Sequence, residues 1–149
     1  MTNIIFLGAV ESPFNYNRTI DYQSEEIKKN IEIGVRTELL GTAGINIVGV
    51  RFHLMMKHKE EQIMNYDVTL TFNIEDWKGK IDKWTKEKVL QTEELKEMVG
   101  ITIGFMRGSL FVQEKSTPLE GMNLPILSIP DLLSNLQLIE VLPKKVEQK

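Results

Sequence analysis

Residues 64–74, MNYDVTLTFNI, are the stretch that decides the fold of this chain. The even positions from Met64 to Ile74 are apolar, and the odd positions between them are Asn, Asp or Thr. A period of two is typical of a β-strand with one face against a core and the other in water. We therefore predict a strand whose even-numbered side chains are buried.

Two earlier segments repeat this alternation. The apolar positions are Ile27, Ile31, Ile33, Val35 and Leu39 in the first, and Val48, Val50, Phe52, Leu54 and Met56 in the second. The connections are the turn-like residues 41–44 and the charged residues 57–62. Because a parallel pairing needs a crossover of a dozen or more residues, connections this short join antiparallel neighbours.

Residues 3–10 predict a fourth strand. This segment is more uniformly apolar than the other three, which indicates that it is covered on both faces or paired at an interface. The four segments together predict a four-stranded antiparallel sheet, a meander.

Helical patterns follow the strands. Apolar residues recur at helical spacing from Thr92, with acidic residues in the first turns, and predict one long helix that ends near Leu110 or a little beyond. Residues 114–127 contain proline and glycine and predict a loop. The sequence Ser-Ile-Pro-Asp from Ser128 predicts the start of a short helix carrying Leu132, Leu133, Leu136 and Ile139. The predicted class is α+β, a sheet packed by one long and one short helix.

Composition limits the classes of function. The chain has 149 residues, a formal net charge of −3 and no cysteine. We expect a single domain over residues 1–149, with a solvated lysine-rich connection at 77–90 and a frayed tail at 143–149. The acidic balance disfavours nucleic acid as a partner, and the missing thiols exclude disulfides and sulfur-ligated metals. Neither a signal peptide nor a membrane span is recognisable, so we expect a cytoplasmic protein without membrane insertion.

The polar candidates for chemistry are few. His53 and His58 are five positions apart on a strand and point to opposite faces, so they do not share a metal and read as solvent-facing imidazoles. Asp67 and Glu75 have no visible acid or base partner and read as solubilising residues. The sequence therefore predicts no catalytic residue, no metal site and no cofactor.

Gly100, Gly104 and Gly108 repeat every fourth residue within the long helix. Each glycine inside a helix costs about 1 kcal/mol relative to alanine, so three on one stripe suggest that another backbone approaches closely. Two interpretations stay open, which are packing of the helix on its own sheet and contact between helices of two subunits.

The segment before the short helix is unusually apolar for a loop. It folds over the core, or it lines a groove for an apolar peptide or another subunit. The candidate client-contacting residues of this region are Leu119, Met122, Leu124, Ile126, Leu132, Leu133 and Leu136.

Residues 107–110, RGSL, and residues 124–133, LPILSIPDLL, resemble the arginine–glycine step and the proline-containing apolar loop of the SecB family of export chaperones. The order of elements is similar over residues 3–140. The chain departs from SecB itself in the extra residues between the two motifs, in the lysine-rich segment 77–90 and in its short tail, so it looks more like the small SecB-like proteins.

SecB proteins are tetramers, dimers of dimers, that hold unfolded preproteins in apolar grooves. The resemblance implies a non-enzymatic chaperone that binds extended apolar segments of unfolded clients and forms a homo-oligomer, a dimer or a tetramer. The candidate interface residues, from their spacing in the long helix, are Gly100, Gly104 and Gly108. The alternative is a SecB-like scaffold or subunit dedicated to one partner protein.

Overall fold

A computed structural model describes residues 3–120 and 127–141 of the chain. It contains six strands and five helices in that part. The strands are β1 (Ile4–Glu11), β2 (Asn15–Tyr16), β3 (Ile31–Gly41), β4 (Ile47–His58), β5 (Glu61–Ile74) and β6 (Gln137–Glu140), and the helices are α1 (Glu25–Lys29), α2 (Trp77–Lys80), α3 (Lys86–Leu90), α4 (Glu93–Glu114) and α5 (Ile129–Ser134).

The strands form one sheet in the order β1-β5-β4-β3-β6, with β2 paired to the end of β5. The meander β3-β4-β5 is antiparallel, and β1 runs antiparallel to β5. The predicted α+β class is therefore confirmed. The prediction of four strands, all antiparallel, was wrong, because β2 and β6 also join the sheet and β6 pairs with β3 in the parallel direction.

The register of the meander explains why one face becomes the core. Val35 lies opposite Leu54 and Leu54 lies opposite Tyr66, so the apolar positions of three strands fall in one row. The even positions of β5 from Met64 to Ile74 are buried, as the alternation predicts.

Helix α4 covers this apolar face. Its buried residues include Leu95, Met98, Met106 and Leu110, which recur at the spacing of one helix stripe. The helix ends at Glu114, a turn beyond Leu110. The predicted long helix is thus present, and its packing produces a single core with the sheet.

The end of the described chain differs from its prediction. Helix α5 stops at Ser134, and Leu136 and Ile139 lie beyond it instead of on it. Residues 137–140 form β6, in which Leu138 lies opposite Leu39 of β3. The spacing of Leu133, Leu136 and Ile139 by three residues fits a helix. Residues 137–140 pair with β3 instead, because the edge of β3 offers free backbone groups for hydrogen bonds.

Two further segments contain local structure. Ile27, predicted to begin the first long strand, lies on α1, and that strand begins at Ile31. The lysine-rich segment 77–90 contains α2 and α3, whose apolar residues Trp77 and Val89 are buried, as is Ile81 between them. The lysines are solvated, but the apolar residues between them belong to the core. The predicted frayed tail 143–149 lies outside the described residues.

No helix in residues 3–120 and 127–141 is long and apolar enough to cross a membrane.

Candidate functional site

Strand β3 has two halves with different neighbours on its outer edge. Residues Glu38–Gly41 pair with β6. Residues 31–37 pair with β4 on one side, and no strand in the described part of the chain pairs with the other side. Seven residues of extended backbone span roughly 20 Å. This free edge, residues 31–37, is therefore long enough to receive an extended peptide.

The free edge carries apolar side chains at every second position. Ile31, Ile33 and Val35 are half-buried and pack against the core, whereas Leu39 further along the same face is completely buried. The alternate positions Glu32 and Arg36 are exposed on the opposite face. An unpaired backbone beside an apolar row is a template for strand addition.

Helix α5 contacts β3, and the region of this helix also carries half-buried apolar side chains. Ile129 and Leu133 on the helix, and Leu127 before it, are half-buried and pack against the core. The candidate surface therefore consists of the free edge of β3 and these residues of the α5 region.

The candidate client residues fall into three groups. Leu119, Leu132 and Leu136 are buried in the core, and Leu133 is half-buried. Met122, Leu124 and Ile126 lie outside the described residues. Of the described four, Leu133 is thus the one with the largest share of its side chain at the surface.

The glycine row of α4 faces away from the sheet. Apart from the backbone of α4 itself, a Cβ added at Gly104 or Gly108 would meet no atom of the described residues within 4 Å, and at Gly100 it would lie 3.8 Å from Cδ1 of Ile129. The interpretation that these glycines let the helix pack on its own sheet is therefore wrong. Large apolar side chains are exposed on the same helix, at Ile101, Phe111 and Val112.

The opposite edge of the sheet is also unpaired within residues 3–120 and 127–141. Strand β1 pairs with β5 on one side, and its exposed apolar side chains include Phe6 at 53% and Val10 at 71% of their full accessibility. Long apolar edges of this kind are blunted or covered in soluble proteins. Of the two sequence-based expectations for this segment, cover on both faces is wrong.

A polar cluster lies on the outer face of the sheet, opposite α4. Nδ1 of His53 is 2.6 Å from Oδ1 of Asp67, and its Nε2 is 2.5 Å from Oε1 of Glu38. Nε of Arg51 donates to the same Glu38 oxygen at 2.8 Å. The prediction of a solvent-facing His53 was wrong, as was that for His58, which is buried at the end of β4.

The charge of Glu38 depends on this cluster. Burial is the largest single influence and acts to raise the pKa of Glu38, but the hydrogen bonds and charges of Arg51 and His53 together outweigh it. The pKa of Glu38 therefore lies below its ordinary value of 4.5. The carboxylate is held in its ionised form by its interactions with Arg51 and His53 on the neighbouring strand.

The geometry of His53 does not suit acid–base catalysis. A general base needs a ring nitrogen within reach of a substrate proton. Both nitrogens of His53 contact carboxylates, which leaves neither for a substrate. Within the described residues, no group of three or more His, Cys, Asp or Glu side chains is arranged to hold a metal ion.

The register contains the signal that could have revealed this cluster. His53 lies opposite Arg36 and Asp67, and Arg51 lies opposite Glu38. Once the strands are aligned, the polar positions of three strands come together in the same way as the apolar ones. Treating each strand separately left Asp67 without a partner.

Comparisons with known proteins give distant matches among solved structures alone. No protein-family model and no curated protein sequence matches this chain. Among solved structures, the chain is similar to the Mycobacterium tuberculosis Rv1957 SecB-like chaperone in complex with a ChAD peptide from the Rv1956 HigA1 antitoxin, with 15% sequence identity, 85% of each chain covered and a TM-score of 0.42. A likeness at this distance carries no argument about what the chain does.

Proposed function

We propose that this protein is a non-enzymatic, SecB-like chaperone or binding protein that holds extended apolar segments of unfolded client polypeptides. The observation that carries the proposal is the free edge of β3 over residues 31–37, with its apolar row on the core side. The sequence resemblance of residues 107–110 and 124–133 to the SecB family points in the same direction.

The mechanism is strand addition combined with burial. Backbone groups of a client pair with the free N–H and C=O groups of β3, which makes binding independent of client sequence. Alternate client side chains cover Ile31, Ile33 and Val35, and apolar burial contributes about 25 cal/mol per Å². Leu133, the half-buried member of the candidate residues, would extend the apolar contact at the α5 end.

The non-enzymatic part of the proposal is supported by the outer-face cluster. The imidazole of His53 bridges Glu38 and Asp67 across three strands, a position that ties the sheet together. Client holding needs no covalent step, so exposed apolar surface and free backbone suffice.

We further propose a homo-oligomer. The open edge of β1 with Phe6 and Val10, and the glycine face of α4 with Phe111 and Val112, are the two surfaces that support it. Each combines exposed apolar area with a route for close backbone approach, one through strand pairing and one through helix contact.

The test compares binding of an extended apolar peptide by wild type, Ile33→Asp and Ile47→Asp. Ile33 belongs to the free edge, and Ile47 is an exposed isoleucine on β4, 48% accessible, away from that edge. We expect Ile33→Asp to weaken peptide binding at least tenfold and to lose suppression of client aggregation, while Ile47→Asp binds as wild type does. Thermal unfolding of all three checks that each is folded.

Two results would contradict the proposal. Wild type that binds no apolar peptide and suppresses no aggregation would exclude client holding, and equal losses in both variants would place the site elsewhere. Capture from the native host separates a general chaperone, with many unfolded partners, from a scaffold dedicated to one protein.

A further inference from the structure

Glu114 is a carboxylic acid in an unfavourable place. The residue is only 6% accessible, and no group of the described chain forms a hydrogen bond with its buried Oε1. It is also the last residue of α4, where unsatisfied carbonyls give the helix end a partial negative charge. The last turn of α4 has no basic residue to offset that charge. A negative charge on Glu114 is therefore disfavoured by burial and by the helix.

Among the residues that the structure describes, no cation compensates this arrangement. Lys115 follows Glu114 in the chain, but its Nζ lies over the ring of Phe111, 5.6 Å from the centroid. Burial is the cause that raises the pKa of Glu114 to about 7. Helix α4 packs against β4, β5, α3 and α5. On the α4 side of the sheet, the buried titratable groups of β4 and β5 are His58 and Tyr66. The charged groups of α3 and α5 are Lys86, Glu87, Lys88 and Asp131.

The backbone of the same residue organises the next turn. The carbonyl oxygen of Glu114 accepts from N of Thr117 at 3.0 Å and from its Oγ1 at 2.7 Å. The same Oγ1 accepts from N of Leu119 at 3.2 Å, and the side chain of Leu119 is completely buried. The backbone of Glu114 is therefore part of the turn that keeps Leu119 in the core.

We propose that Glu114 is a proton-dependent latch on residues 115–120. With the carboxyl protonated, the side chain stays buried and the turn stays packed with Leu119 inside. With the carboxyl ionised, the side chain moves into water, the turn opens and Leu119 becomes accessible. Only a contact between Leu119 and a client rests on the proposed function. The opening of the turn can be measured without a client.

The direction with pH follows from linkage. The carboxyl of Glu114 binds its proton more tightly in the closed turn than in the open one. The protonated carboxyl therefore stabilises the closed turn fully below about pH 4.5, which is the ordinary pKa of a glutamate, and this stabilisation is lost as the pH rises to about 7. Within this window the opening equilibrium grows up to about tenfold per pH unit. Above pH 7 both states are ionised and the equilibrium levels off.

The experiment is amide hydrogen exchange, corrected for the intrinsic pH dependence of exchange, on wild type, Glu114→Gln and Glu97→Gln. Glu97 is an exposed glutamate on the same helix. We expect protection of residues 115–120 in wild type and in Glu97→Gln to fall at least tenfold between pH 5 and pH 8. In Glu114→Gln the protection stays constant, and protection of β4 and β5 is unchanged in all three.

Equal protection of residues 115–120 in wild type at the two pH values would overturn the latch, and this result does not depend on any variant folding. A pH-dependent loss that persists in Glu114→Gln would assign it to another group. Peptide binding, measured separately on the same samples, tells failure of the latch from failure of the proposed client site.

Discussion

Nε2 of His53 lies 2.5 Å from Oε1 of Glu38, on the neighbouring strand of the sheet. The same oxygen of Glu38 accepts from Nε of Arg51, so two cation-forming side chains of β4 converge on one carboxylate of β3. Glu38 stands where the paired half of β3 meets its free half. The contact therefore anchors the strand at the point where the candidate client edge begins.

Glu38→Gln is expected to destabilise the protein by about 1–3 kcal/mol at neutral pH, because the partly buried donors of Arg51 and His53 lose a charged acceptor. The pKa of Glu38 is lowered in the folded state. Its carboxylate therefore stabilises the fold above pH 4.5, and this stabilisation is lost as the pH falls below that value. Urea unfolding of wild type and variant should show a difference at pH 7 that shrinks in acid. Glu32→Gln, at an exposed site on the same strand, serves as control, and a difference that does not vary with pH would refute the assignment.

Gly41→Ala is expected to destabilise the protein by about 1–3 kcal/mol. A Cβ at Gly41 would lie 2.8 Å from Cη2 and 3.1 Å from Cζ3 of Trp84, so the indole ring has to move. Gly34→Ala on the same strand is the matched control, because its Cβ would meet no atom of the described chain within 4 Å. Urea unfolding followed by tryptophan fluorescence measures both, and equal stability of the two variants would contradict the close packing of Trp84.

Val10→Lys is expected to lower the mass measured by light scattering if β1 forms the contact between subunits, since a lysine on an edge strand opposes strand pairing. Val112→Lys places the same change on α4, at a site of similar exposure, 65% against 71%. Dissociation by Val10→Lys alone favours the β1 edge, and dissociation by Val112→Lys alone favours the glycine face. A wild-type monomer would end the proposal of a homo-oligomer.

Tyr66→Phe is expected to lower the free energy of unfolding by about 1 kcal/mol, the usual contribution of a hydrogen bond. The hydroxyl of Tyr66 donates to Oε2 of Glu11 at 2.8 Å and lies 3.0 Å from Oγ of Ser109, which joins β5 to β1 and α4. Tyr16→Phe is the control, because no hydrogen bond of the Tyr16 hydroxyl is present among the described residues. Equal effects of the two changes would count against the role of these contacts.

The same tyrosine has a spectroscopic signature. Burial, with the acceptor and charge of Glu11, raises the pKa of Tyr66 to about 12. Because the folded state holds the phenol proton more tightly than the unfolded state, stability is lost as pH rises from about 10 to about 12. Ultraviolet titration should show one tyrosine of wild type ionising near pH 12, and this step should vanish in Tyr66→Phe.

The candidate site shows how far sequence reasoning reaches. The alternation of Ile31, Ile33 and Val35 could be read directly, and it predicts one apolar face. Whether that face is covered could not be read, because cover comes from segments far away in the chain. β6 covers only the part of β3 from Glu38 onward, and the remainder is free in the described chain.

The polar cluster could be identified only once the alignment of the strands was known. His53, Asp67 and Glu38 were each visible, but they form a cluster only because three strands align at particular positions. Glu114 looked like an ordinary residue at the end of a helix, and its burial depends on how α4 and the following turn pack.

The sequence by itself determined the antiparallel meander and the long helix, because a period of two, a period of 3.6 and short polar connections are properties of neighbouring residues. Only the tertiary structure decided which edges stay open, where β6 pairs, and which ionisable groups meet a partner or are buried without one. These features depend on contacts between residues that are far apart in the chain. A local sequence pattern does not show which distant residues will meet.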